Sequence, residues 1–432
     1  MEAMAGRRLT EFEYAGIIGK VVLQRTVLSP ASMSAPIRIA YLTHYPELYG
    51  ANRSLLDLLL ELRDRGAVLP HVLLPREGDL VSALQREGVP HAVIPFQPWM
   101  SERHRSGRFY HRWKQHWQQE RKACERERTN AQLLPEMVAQ VKAWDAQLLH
   151  ANSAAVGVAH GLKAFTGLPL LWHIRELPEH QYLLHLDAGP KGYGRALRSA
   201  DRLIAISNAV HEDILRYTGP FDRITRIYNG VLRAQRYAEL LQGSEARWST
   251  TGPFTFLLLG LIHPSKGQVE AVEAMALLKQ RGVSARLVIA GDGRDAALKQ
   301  RIAELGVADV VELKGFVKDP FPLFRSAHAL LMCSRNEAMG RVTVEGMACG
   351  LPVIGHASGG TLELVTDGVN GLLYPGGAEA LADRMQRLAV DPVLAKSLGE
   401  AAARGAAERF SVERYASEVL EVYRGLLSGG RP

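Results

Sequence analysis

Two series of short, continuously apolar runs leave this chain few folds to choose from. The first holds IRIAYLTH, VLPHVLLP, VPHAVIPF, AQLLHANS, LPLLWHIRE and DRLIAISN, and stops at the turn Asn229-Gly230. The second holds FTFLLLG, ARLVIAG, VVELKGF, ALLMCS and PVIGHA. Amphipathic helical stretches separate most of them. A strand with one face in water alternates polar and apolar residues. Runs apolar throughout are buried on both faces, which requires a parallel sheet covered by helices. Two such series predict an α/β protein of two Rossmann-like, doubly wound domains facing each other across a cleft.

The expected boundaries follow the runs. Residues 36–235 form the first domain, the polar segment 236–252 a linker, 253–410 the second domain, and 411–432 a terminal helix returning toward the first. Residues 1–35 lack the pattern; IIGKVVL is too brief for a signal peptide, so the segment reads as a disordered extension or a start placed upstream of Met33. No apolar run approaches the ~18 residues of a membrane-spanning helix. Cys124, Cys333 and Cys349 form no CxxC pair, the usage expected of a reduced, cytoplasmic protein. The net charge of +7 favours anionic partners.

In doubly wound sheets ligands sit beyond the carboxyl ends of the strands. There, ALLMCS runs into SRNEAMGRVTVEGMACG, which puts Glu337 in the loop and Gly340, Arg341 and Val342 at a helix N-terminus. Free N–H groups at such an end suit a phosphate. Glu345 falls in the next turn, and a carboxylate accepts two parallel hydrogen bonds from a vicinal diol such as ribose. Taken alone, Glu337 reads better as a helix N-terminal acid and Glu345 as a solvated surface residue. Lys266, in LIHPSKGQ after the first strand of the second series, brings an ammonium toward the same anion. In the first series IRIAYLTH leads to Gly50-Ala51, which opens a helix and lets a backbone approach a phosphate, while Asn52 reads better as a helix cap. LPLLWHIRE ends in His173, Arg175 and Glu176.

LVIAGDGRDA offers a competing motif. Gly291, Gly293 and Ala296 form a GxGxxA pattern with Glu312 about twenty residues on, which resembles a dinucleotide fingerprint. That fingerprint belongs after the first strand of a domain, and this one follows the second.

The ordered set EAMGRVTVEGMACGLPVI, SGGTLELVTDGVNGLLYP, GANRSLL, ISNAV and YNGV resembles the family-4 glycosyltransferases, retaining enzymes of the two-Rossmann GT-B architecture. The resemblance runs from Ile37 to Leu427, and its most specific part is the E-x7-E signature, Glu337 to Glu345. It implies that Glu337 and the amides of Gly340, Arg341 and Val342 hold the donor sugar and its phosphate, and that Glu345 takes the ribose. Lys266 would hold the diphosphate, Phe316 and Val317 would meet the base through their backbone, and Gly50-Ala51 would approach the diphosphate from the other domain. His173 resembles the histidine near the donor sugar, so the implied catalytic set is Glu337, Lys266 and His173. The family's Gly-Arg is here Gly260-Leu261, with Arg341 or His263 as possible substitutes, and its His-Asp is His173-Ile174. The implied activity is retaining transfer from a UDP- or GDP-sugar to a glycan or lipid-linked glycan, as in surface polysaccharide synthesis. The nucleotide-sugar is then a substrate. With no Asp-x-Asp in the chain, no metal and no other cofactor is expected.

Residues 101–130 hold nine Lys/Arg against four Glu. In a helix Phe109, Trp113 and Trp117 share one face, with Arg105, Arg112, Lys114 and Arg121 nearby. The segment fits an anionic membrane surface, on the cytoplasmic face, as well as it fits packing on the first domain. No nucleic-acid module accompanies it, so no nucleic-acid partner is expected. Other readings of the chain are a dehydrogenase using NAD at GDGRDA, and a non-catalytic scaffold that retains nucleotide-sugar binding.

Overall fold

The computed structural model describes residues 35–103, 109–181, 183–242, 247–248 and 252–429, with the backbone alone for 109–113. The first domain contributes strands β1 (Ile37–Leu42), β2 (Val68–Leu74), β3 (His91–Val93), β4 (Met100–Glu102), β5 (Leu148–Ala151), β6 (Leu170–Ile174), β7 (Leu184–Leu186), β8 (Arg202–Ala205) and β9 (Ile224–Arg226). Seven of them form a parallel sheet in the order β3-β2-β1-β5-β6-β8-β9. The other two, β4 and β7, pair as a separate antiparallel ribbon.

The second domain contributes β10 (Phe254–Leu259), β11 (Ala285–Ala290), β12 (Val311–Leu313), β13 (Ala329–Met332), β14 (Val353–His356) and β15 (Gly371–Tyr374), parallel in the order β12-β11-β10-β13-β14-β15. Strands β5, β6, β13 and β14 are buried along their whole length, as continuous apolar runs require. This is the GT-B arrangement expected of two Rossmann-like domains.

The order of each sheet reverses once, between β1 and β5 and between β10 and β13. Crevices for ligands open at such points. The Gly50 loop follows β1, Lys266 follows β10 and Glu337 follows β13, so topology alone gathers three of the expected elements.

Four features go beyond what the sequence declares. Strands β9 and β15 and the β4–β7 ribbon, of three or four residues each, are too short for a period to declare itself. The expected linker begins inside a helix, Ala234–Leu241, whose Tyr237 and Leu240 are buried. The basic segment belongs to a 35-residue helix, Phe109–Ala143, that carries Pro135. Asn52 is no cap: Tyr49 holds that position, and Asn52 Nδ2 donates to the carbonyls of Tyr45 and Glu47, both at 2.8 Å, pinning the loop after β1.

The chain crosses between domains twice. Val231 N donates to Phe410 O and Val412 N to Leu232 O. A Cβ on Gly230 would lie 2.6 Å from Val412 Cα, which explains the glycine at that turn. Beyond the second crossing, the helix Val412–Leu427 buries Tyr415, Val419 and Tyr423 against Ile39, Tyr41 and Leu171 of the first sheet. Among the described residues no helix is long and apolar enough to cross a membrane.

Candidate active site

The site grows from β10 and β13, neighbours in the second sheet. After β10 the chain enters a single 3-10 turn, Pro264–Lys266, capped by His263 Nδ1, which accepts from Ser265 N. Gly267 follows with φ +71°, and a Cβ there would lie 2.6 Å from Cys333 O. Only glycine lets the turn press against the end of β13, which carries Lys266 to Glu337.

Glu337 is 8 % exposed. Its Oε2 accepts from Lys266 Nζ at 2.6 Å and its Oε1 from Gln181 Nε2 at 2.9 Å. Burial pushes the carboxyl upward, but the Lys266 charge and hydrogen bonds from Lys266, Ser334 and Gln181 outweigh it and hold it below the usual value. It is therefore an ionised acceptor fixed at both oxygens. Gln181 belongs to the first domain, so this carboxylate touches both walls of the cleft.

Glycines back the Glu337 loop. A Cβ on Gly359 would lie 2.5 Å from Glu337 O, and one on Gly360 2.3 Å from Ala338 O, while Gly360 N donates to Glu337 O at 2.7 Å. Gly340, at φ +88°, turns the chain into the helix Arg341–Ala348. The helix thus begins beside the Lys266–Glu337 pair, and Glu345 lies buried in its second turn, 3.8 Å from Arg341 Nε. Opposite, Gly50 and Ala51 open the helix Gly50–Asp64, and a Cβ on Gly50 would meet Arg341 Cδ at 3.7 Å, an ordinary contact. Phe316 and Val317 stand beyond β12 on the same strand-end surface, Phe316 69 % exposed.

The side chain of His173, expected near the donor sugar, is wholly buried in β6, 5.4 Å from the His150 ring and 6.0 Å from Tyr415 of the terminal helix. Burial, with the charge of Arg175, pushes it well below the usual 6.5 and keeps it neutral. A continuous apolar run does not tell which face a residue takes. Period two puts His173 and Arg175 together under the terminal helix, and Arg175 reaches the Gly50-Ala51 loop through Asn152, whose Nδ2 donates to Ala51 O at 3.3 Å. Of the suggested substitutes for the family arginine, Arg341 is bonded to the first domain, and His263 caps its own turn through Nδ1.

The GDGRDA glycines serve the protein's own backbone. A Cβ on Gly291 would lie 1.8 Å from Gly260 O and one on Gly293 2.7 Å from Ile262 O. The loop after β10 packs directly on both glycines.

Several residues were not legible. Gln181 lies in an unpatterned stretch and no spacing marked it. Glu363 was quoted within a motif, yet its role across the cleft was hidden: it accepts from Asn208 N, Ala209 N and Tyr228 Oη of the first domain. His44, at the end of β1, has a buried Nδ1 without a partner, and burial drives it down to about 4. On the basic helix Trp117 is 56 % exposed, with Lys114 and Arg121 exposed one turn either side. Arg126 instead turns inward to pair with Asp187 at 2.6 Å. The side chains of Arg105, Phe109, Arg112 and Trp113 lie outside the described residues.

Comparison with known proteins supplies independent observations. The family profile described as Glycosyltransferase Family 4 matches residues 49–232, and that described as Glycosyl transferases group 1 matches 245–405. A D-inositol 3-phosphate glycosyltransferase of Arthrobacter sp. (strain FB24) is 32% identical over 295 residues, 64% of this chain and 70% of that protein. Another with the same description, from Streptomyces bingchenggensis, is 30% identical over 256 residues; there the match spans 56% of each chain. Among solved structures, Anabaena HepE in complex with UDP-glucose superposes with a TM-score of 0.70 at 22% identity, covering 90% of this chain and 100% of that one. Sucrose-phosphate synthase of Thermosynechococcus elongatus gives 0.69 at 21% identity, covering 91% and 100%.

Proposed function

The chain belongs to the family-4 glycosyltransferases, and from that premise we propose that it moves a sugar from a nucleotide-sugar to an acceptor hydroxyl with retention of configuration and without a metal. The observation that carries this reading is Glu337, an ionised carboxylate held by Lys266 from its own domain and Gln181 from the other, beside a helix N-terminus.

In this reading the donor diphosphate lies against the amides of Gly340, Arg341 and Val342 with Lys266 beside it, and Gly50-Ala51 closes from the opposite wall. Glu345 accepts from the ribose hydroxyls, the backbone at Phe316 and Val317 meets the base, and Glu337 accepts from hydroxyls of the donor sugar. As the glycosidic C–O bond breaks, negative charge grows on the diphosphate, and Lys266 with the helix amides is already aimed at it. The acceptor oxygen attacks from the face the diphosphate leaves, giving up its proton to the departing diphosphate oxygen, and configuration is retained. UDP-glucose bound by the HepE of Anabaena supports a UDP-sugar ahead of a GDP-sugar. The acceptor is a glycan or lipid-linked glycan of a surface polysaccharide, reached from the cytoplasmic face. The exposed Trp117 with Lys114 and Arg121 is the part of the basic helix that meets an anionic membrane.

Thermal unfolding with UDP, GDP, ADP, their sugar conjugates and NADH, with and without EDTA, tests the reading. A ligand at a hundred times its dissociation constant stabilises by about 2.7 kcal/mol. One nucleotide series should stabilise regardless of EDTA. A shift with NADH alone, or one abolished by EDTA, contradicts it.

A further inference from the structure

Arg341 opens the helix that faces the donor, yet its side chain leaves the donor domain. Its stem passes Gly50, and its guanidinium spreads over the first domain. Nη1 donates to Ser54 Oγ (2.8 Å), Asp57 Oδ2 (3.1 Å) and Gly230 O (3.2 Å), and Nη2 to Val231 O (3.0 Å). Gly50, Ser54 and Asp57 stand at i, i+4 and i+7 on one helix, a single stripe on which the side chain lies. Gly230 and Val231 form the first crossing between domains, joined to Phe410 of the second. One nitrogen is left over: Nε is buried with no hydrogen-bond partner, and the carboxylate facing it is Glu345, 3.8 Å away.

We propose that Arg341 is a positioning residue that couples filling of the ribose site to the closed arrangement of the two domains. The inference rests on the sugar-nucleotide reading and deepens it. A guanidinium is a rigid fork of five donors, suited to holding several acceptors at once in fixed geometry. Here the acceptors come from a helix of one domain and from the interdomain crossing, while the unused donor points back at the ribose-binding carboxylate. A ribose diol that fixes Glu345 lets that carboxylate close the gap to Nε, completing the fork and holding Ser54 and Asp57 with it. By linkage, closing the domains favours the nucleotide as much as the nucleotide favours closing.

Titration calorimetry of the wild type with UDP, GDP and ADP comes first. If none of them binds, the sugar-nucleotide reading falls and takes this inference with it. With the binding nucleotide in hand, small-angle scattering is recorded with and without it for wild type, Arg341→Met and Asp57→Asn. Arg341→Met should bind at least tenfold more weakly and give a larger radius of gyration with nucleotide present. Asp57→Asn leaves Glu345 untouched; it should show the same enlargement with a loss of affinity of only a fewfold. It also keeps the test intact if Arg341→Met does not fold. Scattering and affinity of Asp57→Asn identical to wild type would overturn the coupling while leaving the nucleotide reading standing. So would weaker binding by Arg341→Met with unchanged scattering.

Discussion

Both domains place polar side chains at or just beyond the carboxyl ends of their strands, and use them oppositely. In the second domain Lys266 and Glu337 turn to the cleft, and glycines at 267, 359 and 360 let backbone close in behind them. In the first domain the residues that end β6 are consumed by the protein itself. Arg175 donates to Asn152 Oδ1 at 2.7 Å, Asn229 Oδ1 at 2.5 Å and Tyr415 Oη at 2.8 Å, and His173 lies sealed beside it. The difference is the terminal helix. It covers that face of the first sheet and turns its strand-end polarity into an anchor for itself. A polar residue at a strand end is therefore available for a ligand only where nothing later in the chain covers it.

The largest effect should come from the open side. Lys266→Ala removes the cation aimed at the leaving diphosphate and leaves Glu337 buried without its counter-charge. Loss of one such preorganised donor elsewhere costs about 2.7–4 kcal/mol, so turnover should fall about 10²- to 10³-fold. Steady-state kinetics on purified protein reads this directly, and near-normal turnover would erase the contrast between the domains.

On the sealed side the loss should be one of stability. Arg175→Met strands acceptors on Asn152 and Asn229 and a partner on Tyr415. A buried group left unsatisfied costs about 1–3 kcal/mol, so several together should lower unfolding stability by about 3 kcal/mol. Denaturant melts would register it, and nucleotide affinity measured on the folded fraction should stay within about threefold of wild type. If affinity collapsed while stability held, Arg175 would belong to the cleft.

Gly50→Ala probes the boundary between these uses. The protein's own packing tolerates a methyl there, since it would meet only Arg341 Cδ, at 3.7 Å. Stability should therefore change by less than ~1 kcal/mol, with a slight gain from the lost chain entropy. If a diphosphate approaches this backbone, its affinity should drop about tenfold. Calorimetry showing unchanged nucleotide binding would remove Gly50 from the site.

What the sequence made legible divides along the same line. The Glu337–Glu345 helix, the Lys266 turn and most strands of both sheets are local patterns, carried by spacing within a few tens of residues. The burial of His173 was not legible because part of its surroundings comes from Tyr415, more than two hundred residues away. Gln181 and Glu363 were missed for the same reason: each acts on the opposite domain, across 156 and 155 residues of chain. Local pattern fixes which loop a residue occupies. Which wall that loop meets is a property of the assembled fold.

The smallest effect separates the domains by pH. His150 and His173 are both pushed well below the usual 6.5, by burial first and then by the charge of Arg175. A depressed pKa means that the unfolded chain takes up protons that the folded chain refuses. The corresponding stability is complete above about pH 6.5 and is lost progressively as pH falls toward the folded pKa. Each such histidine adds up to about 1.4 kcal/mol of loss per pH unit in that window. Glu337 is also depressed, but its window opens only below the usual carboxylate value of 4.5. Between pH 6 and 5, therefore, the sealed cluster should lose stability while the Lys266–Glu337 pair holds. His173→Asn, which does not titrate there, should flatten the slope of unfolding free energy against pH by about 1.4 kcal/mol per unit relative to wild type, leaving turnover at pH 7.5 within threefold. An unaltered slope would mean that His173 is not held neutral by burial. A large fall in turnover would place His173 in the chemistry.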